Sequence, residues 1–64
     1  MKQRPEAVEL APRMRELKRC SAQKLVEITG RPRRFVDRGL AALLSDGLIE
    51  IDSTTGEYVL IRNA

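Results

Sequence analysis

Apolar residues recur with helical spacing over three segments of the chain and alternate in two short segments near its end. The clearest pattern runs from Ser21 to Ile51, where the apolar positions are interrupted once, at 29–32. Spacings of three and four residues predict amphipathic helices, and alternation predicts half-buried strands. We therefore predict a mainly α fold with a small β-hairpin. Its helices lie at about 9–19, 21–28 and 32–46, and its strands at about 48–51 and 57–61.

The first helix has an uncertain start because two prolines lie near it. Proline is tolerated in the first turn of a helix and breaks a helix interior. The simplest interpretation makes residues 1–8 a flexible N-terminal arm and starts the main helix at residues 9–11, so that Pro12 falls in the first turn. The alternative is a kinked helix from Pro5, a residue type favoured at the first helical position. In the first interpretation the inward positions are Leu10, Met14 and Leu17.

The second helix has recognisable signals at both of its ends. Ser21 is a good N-cap, because its hydroxyl can accept a hydrogen bond from a free amide two or three residues later. Gly30 can adopt the positive φ that ends a helix, and Pro32 suits the first position of the next one. Arg31 precedes a proline and is biased away from helical geometry, which predicts a tight turn here. The inward positions of the second helix are Ala22, Leu25 and Val26.

The third helix shows a clear amphipathic pattern and passes directly into the hairpin. Gly39 lies inside this helix, where glycine costs about 1 kcal/mol relative to alanine; the close approach of another helix would explain it. Gly47 ends the helix, and the loop at 52–56 places Gly56 where a left-handed residue is expected. The inward positions of the third helix are Val36, Leu40, Leu43 and Leu44.

Length and composition exclude several classes of function. The 64 residues make one domain, with 42% hydrophobic and 3% aromatic residues. The chain has one cysteine and no histidine, so we expect no disulfide, metal site or cofactor, and no enzyme activity. No segment resembles a membrane span or a secretory signal, and we expect a cytoplasmic protein without a small-molecule ligand. Cys20 is expected to be a half-buried structural thiol.

The charge is basic overall and unevenly distributed. The net charge is +3 and the sequence pI about 9.6, in the range typical of nucleic-acid-binding domains. Residues 1–20 carry six basic and three acidic side chains, and residues 21–47 carry five and three. Residues 48–64 carry one basic and three acidic side chains. The helices are therefore positive and the hairpin negative.

The outer face of the third helix carries the candidate chemistry. With the apolar positions buried, the helical period places Arg34, Arg38, Ala41 and Ser45 on the opposite face. Arg31 and Arg33 lie at or just before the start of the helix, and among these residues only Asp37 offsets their charge. Arginine can donate two hydrogen bonds to guanine O6 and N7, or bind phosphate. An ordinary solvated helix face is the other interpretation of these charges.

Residues 21–61 resemble the winged helix-turn-helix superfamily, the DNA-binding domain of MarR-like and GntR-like bacterial regulators. The resemblance depends on Ser-Ala-Gln-Lys-Leu-Val-Glu-Ile-Thr-Gly at 21–30, Val-Asp-Arg-Gly-Leu-Ala-Ala-Leu at 36–43 and Asp-Gly-Leu-Ile at 46–49. It implies a three-helix winged helix whose third helix enters a DNA major groove. The residues that it implies touch bases are Pro32, Arg33, Arg34, Asp37 and Arg38. The hairpin departs from the family pattern, because Glu50, Asp52 and Glu57 stand where basic residues often contact DNA.

We therefore expect a small sequence-specific protein that binds double-stranded DNA and regulates transcription. Arg33, Arg34 and Arg38 would contact bases or phosphates, Lys24 and Arg31 would hold the DNA backbone, and Ala41 could touch a thymine methyl. So short a module contacts few base pairs, which favours a homodimer or a larger assembly. The alternatives are a winged helix that binds another protein through its acidic hairpin or basic helix, and, third, one that binds RNA.

Overall fold

Three helices and a small antiparallel sheet make up the computed structural model, which describes residues 4–62. The elements are α1 (Pro5–Leu17), β1 (Arg19–Cys20), α2 (Ala22–Thr29), α3 (Arg33–Ser45), β2 (Ile49–Ile51) and β3 (Tyr58–Leu60). The strands lie in the order β1-β3-β2. The predicted fold class, mainly α with a hairpin in a three-helix winged arrangement, is confirmed. No helix in this part of the chain has the length and apolar character needed to cross a membrane.

Helix α1 begins at Pro5, so the prediction of an arm over residues 1–8 is wrong for residues 5–8. Proline at the first position has a preset φ and no N–H group to leave unsatisfied, and Ala7 is fully buried in the core. The predicted start at residues 9–11 is likewise too late. Pro12 lies inside the helix on its exposed side, where water can bind the carbonyl that the missing N–H leaves free. Residues 1–3 of the predicted arm lie outside the described residues.

The helix-turn-helix begins and ends close to where the sequence predicts. The Ser21 hydroxyl accepts a hydrogen bond from the Lys24 backbone N–H at 3.1 Å, which confirms the predicted cap. Gly30 has a φ of 69° and its N–H donates to the Val26 carbonyl, which confirms the predicted end of α2. Pro32 is the residue before α3 rather than its first helical residue, a shift of one position.

The two longer helices, α1 and α3, meet at Gly39. This glycine is buried, and a Cβ at its position would lie 2.9 Å from the backbone carbonyl oxygen of Glu6 and against the side chain of Leu10. The predicted close approach of another helix is therefore confirmed, and that helix is α1.

The sheet contains a strand that the sequence analysis misses. Strand β1 pairs with β3 in antiparallel register, with Arg19 opposite Val59 and Cys20 opposite Tyr58. A two-residue strand carries no alternation that a pattern could show. The hairpin itself matches the prediction, since β2 and β3 fall within the predicted strands and Gly56 has the expected left-handed φ of 77°.

The core lies between the three helices and the inner face of the sheet. Of the predicted inward residues, Leu17 and Val26 are partly buried, and Leu44 is 37% exposed. The prediction for Leu44 is wrong because the buried positions of α3 centre on a direction about 90° away from it around the helix. The predicted inward residues that are buried are Leu10, Met14, Ala22, Leu25, Val36, Leu40 and Leu43.

Candidate nucleic-acid interface

The outer face of α3 is exposed as the helical period predicts. Arg34, Arg38, Ala41 and Ser45 are all exposed, on the side of the helix away from its contact with α1 at Gly39. Positions 34 and 38 are one turn apart, and the helix rises about 6 Å between them. The small side chain of Ala41 continues this face without obstructing the approach of a partner surface.

Arg34 and Arg38 differ from the other arginines near them because neither pairs with an acidic side chain within residues 4–62. Of the arginines near them, Arg31 and Arg33 each form an ion pair with a carboxylate. Lys24 near the start of α2 is also exposed and makes no side-chain ion pair with a described residue. These guanidinium and ammonium groups are therefore accessible to solvent and can bind an anion without first breaking an ion pair with a described residue.

Arg33 lies on the same helix in a weak local pair. Its Nε donates to Oδ1 of Asp37 at 3.0 Å, with the two side chains 58% and 54% exposed. Exposed pairs four residues apart on a helix contribute only about 0.3–0.5 kcal/mol. Arg33 can therefore exchange Asp37 for a phosphate at little cost, whereas Asp37 lowers the positive potential of this turn.

The start of α3 offers backbone donors beside these arginines. Pro32 provides no side-chain cap, and no described residue accepts a hydrogen bond from the backbone N–H of Arg33 or Arg34. The N-terminal end of a helix carries a partial positive charge that favours anions. The free N–H groups and the Arg34 side chain thus lie at the same end of the exposed face.

Arg31 has a different environment from the one that the sequence analysis expects. Its Nε and Nη2 donate to the two carboxylate oxygens of Glu9 on α1, both at 2.8 Å. Its guanidinium carbon lies 5.0 Å from the centroid of the Phe35 ring. The hydrogen bonds to Glu9, and then the charge of Glu9, raise the pKa of Arg31. The predicted contact of Arg31 with a DNA backbone is untested, and in the structure its side chain faces a carboxylate.

Two of the three acidic side chains of the hairpin pair with one arginine, Arg19, which the sequence analysis does not single out. Arg19 on β1 donates from Nε to Glu57 at 2.9 Å and from Nη2 to Asp52 at 2.7 Å. The Thr54 N–H, and then Arg19, lower the pKa of Asp52. Glu50 is exposed and pairs with no described residue. Three carboxylates and one arginine leave a charge of −2. The hairpin therefore repels phosphate less than its composition suggests, and the alternative of an acidic protein-binding hairpin keeps most of its charge.

Cys20 belongs to the core rather than to the candidate interface. It is buried, more fully than the half-buried thiol expected, and its Sγ lies 3.4 Å from Sδ of Met14. Burial, and to a smaller extent the charge of Glu57, raise the pKa of the Cys20 thiol. The thiol is therefore neutral at pH 7 and packs as a small apolar group.

Comparison of the chain with protein-family models, with curated proteins and with solved structures finds no match. The winged helix-turn-helix resemblance remains a prediction, and the arrangement of charges around α3 is the feature of this chain that indicates a function.

Proposed function

We propose that this protein binds double-stranded DNA through the exposed face of α3 and regulates transcription in the cytoplasm. The observation that carries the proposal is the pair Arg34 and Arg38, which are exposed, one turn apart and without an acidic partner among the described residues. The other arginines of the site are engaged with carboxylates. The unpaired arginines of the candidate interface therefore lie on one strip of α3.

The geometry suits a helix placed in a major groove. The rise of about 6 Å between the two arginines spans about two base-pair steps of 3.4 Å. Each guanidinium can donate two hydrogen bonds to guanine O6 and N7, or bind a phosphate oxygen. Ala41 lies further along the same face, where its methyl group can contact a thymine methyl.

The remaining contacts would come from the ends of the helices. The free backbone N–H groups at the start of α3 can donate to a phosphate, and Arg33 can join them after leaving Asp37. Lys24, near the start of α2, is the further candidate for a phosphate contact. So few contacts would give modest affinity to a single copy, which supports binding as a homodimer or within a larger assembly.

The test is a salt titration of DNA binding with three arginine variants. Binding to a labelled 20-base-pair random duplex is followed by fluorescence anisotropy between about 50 and 200 mM salt. Arg34→Ala and Arg38→Ala should each weaken binding and reduce the slope of log K against log salt by about 0.9 for each phosphate that the variant no longer neutralises. Arg13→Ala is the matched control, because it removes the same charge from α1, where its contact with Glu16 is a long 4.0 Å.

Two results would contradict the proposal: no binding at low salt, or an Arg13→Ala loss as large as those of Arg34→Ala and Arg38→Ala. A loss of affinity that is the same for duplexes of every sequence would indicate that the residue binds a phosphate. A loss of about 1–3 kcal/mol confined to particular sequences would assign it to a base.

A further inference from the structure

We propose that Arg31, Glu9 and Phe35 form a latch that positions the start of α3, so that an acidic residue on α1 supports DNA binding. This inference rests on the proposed function of α3. It assigns Arg31 a positioning role instead of a contact with the DNA backbone.

Arg31 is held through both its side chain and its main chain. The guanidinium makes two hydrogen bonds of 2.8 Å with the Glu9 carboxylate and lies over the Phe35 ring. The backbone N–H of Arg31 donates to the Thr29 hydroxyl at 3.2 Å. Two parallel bonds from arginine to a carboxylate fix direction as well as distance, so both the main chain and the side chain of residue 31 have defined positions.

The restraint on Arg31 helps to fix the position of the N-terminal end of α3. The middle of the helix is fixed against α1 at Gly39, where the two backbones are in close contact. The buried side chains of Val36, Leu40 and Leu43 also hold the helix in the core, but the residues before Val36 are not buried. The latch adds a restraint at this N-terminal end, which no side chain caps. Arg34 lies three residues beyond Arg31, so its position relative to α1 follows that of the latch.

Arg31 is poorly placed to bind a phosphate itself, because its guanidinium is already engaged. Transfer to a phosphate would break two charge-assisted hydrogen bonds and expose one face of the guanidinium that Phe35 covers. Lysine cannot reproduce this arrangement, because a single ammonium group has neither the planar fork nor the stacking surface of arginine. Substitution by lysine therefore separates the charge of residue 31 from its geometry.

The test compares Glu9→Gln, Arg31→Lys and the double variant with the wild type in the duplex-binding assay. Glu16→Gln is the matched control, since it removes the same charge from an exposed position of α1. If charge alone mattered, both glutamine variants would bind the DNA polyanion at least as tightly as the wild type. The latch predicts that Glu9→Gln and Arg31→Lys each weaken binding about threefold. The double variant should be no weaker than either single one, and Glu16→Gln should not weaken binding.

The latch is overturned, with the proposed function intact, if Glu9→Gln binds more tightly with a steeper salt dependence and Arg31→Lys binds like the wild type. It is also overturned if both variants lower the melting temperature but bind DNA normally well below it. If the wild type binds no DNA, the proposed function fails and NMR tests the latch alone. Glu9→Gln should then shift the Arg31 Nε–Hε signal and the amide signals of residues 29–34, and unchanged signals would refute the latch.

Discussion

Replacing Gly39 by alanine is the sharpest test of how α1 and α3 pack. The added Cβ would lie 2.9 Å from the Glu6 carbonyl oxygen and would collide with a terminal methyl of Leu10. The Leu10 side chain can rotate, but the Glu6 oxygen belongs to the first turn of α1 and can move only with the helix. The substitution therefore pushes the two helices apart along their shared contact.

Two opposing effects determine the magnitude. Alanine is favoured over glycine inside a helix by about 1 kcal/mol. Overpacking a well-packed interior by a methyl group costs about 1–3 kcal/mol, and more when backbone must shift. Since the obstructing atom is a backbone oxygen, we expect the packing cost to exceed the helix preference, with a net loss of about 1–2 kcal/mol of unfolding free energy. For a domain of this size that corresponds to a melting temperature lower by at least about 4 °C.

Urea unfolding and thermal melting followed by circular dichroism measure this loss. Ala41→Gly is the control on the exposed face of α3, and it should lose stability through helix preference alone. Leu10→Val with Gly39→Ala forms a double-mutant cycle that isolates the Leu10 part of the clash. A Gly39→Ala variant as stable as the wild type, or more stable, would refute the close packing of α1 on α3.

Three further substitutions test the cap, the hairpin and its charge. Ser21→Ala should cost about 1 kcal/mol in urea unfolding, because the Lys24 N–H loses its acceptor, whereas Ser45→Ala should cost little. Asp52 has a lowered pKa, so its stabilising charge is present above about pH 4 and is lost as the pH falls through its folded-state pKa. Asp52→Asn should therefore be less stable than wild type at pH 7 and lose less stability on acidification to about pH 3; an equal acid loss would contradict this. Glu50→Lys should strengthen duplex binding and steepen its salt dependence, and unchanged affinity would place the hairpin away from the DNA.

The helical part of the fold is predictable from sequence because its signals are local. The Ser21 cap, the Gly30 left-handed end and the apolar period of α3 each depend on residues within a few positions of one another. Gly39 is predictable for the same reason, since a glycine inside a regular helix requires a packing explanation. Leu44 shows the limit of this approach: periodicity defines a direction, and the width of the buried sector depends on the elements packed against it.

The start of α1 and the strand β1 depend on contacts distant in sequence. The simplest interpretation starts α1 too late, only the alternative begins it at Pro5, and β1 is not predicted at all. Pro12 favours a late start when considered alone, whereas burial of Ala7 and the contact of α1 with Gly39 favour the start at Pro5. Strand β1 has two residues, and it forms because β3 lies beside it. Neither the long-range packing nor the pairing leaves a periodic pattern near the residues concerned.

The late start of α1 and the missing strand β1 have the same consequence for the site. In each case, an arginine that forms ion pairs in the structure is predicted to be unpaired. Without residues 5–8 in α1, the orientation of Glu9 toward the turn at 29–32 cannot be inferred, and Arg31 counts as a free cation. Without β1, Arg19 cannot be placed beside the hairpin, and Asp52 and Glu57 are taken to be unpaired. The net charge is unchanged by either pairing, but the charge that a ligand can reach differs. The positive strip on α3 is therefore narrower than the arginine count suggests, and the electrostatic barrier at the hairpin is lower.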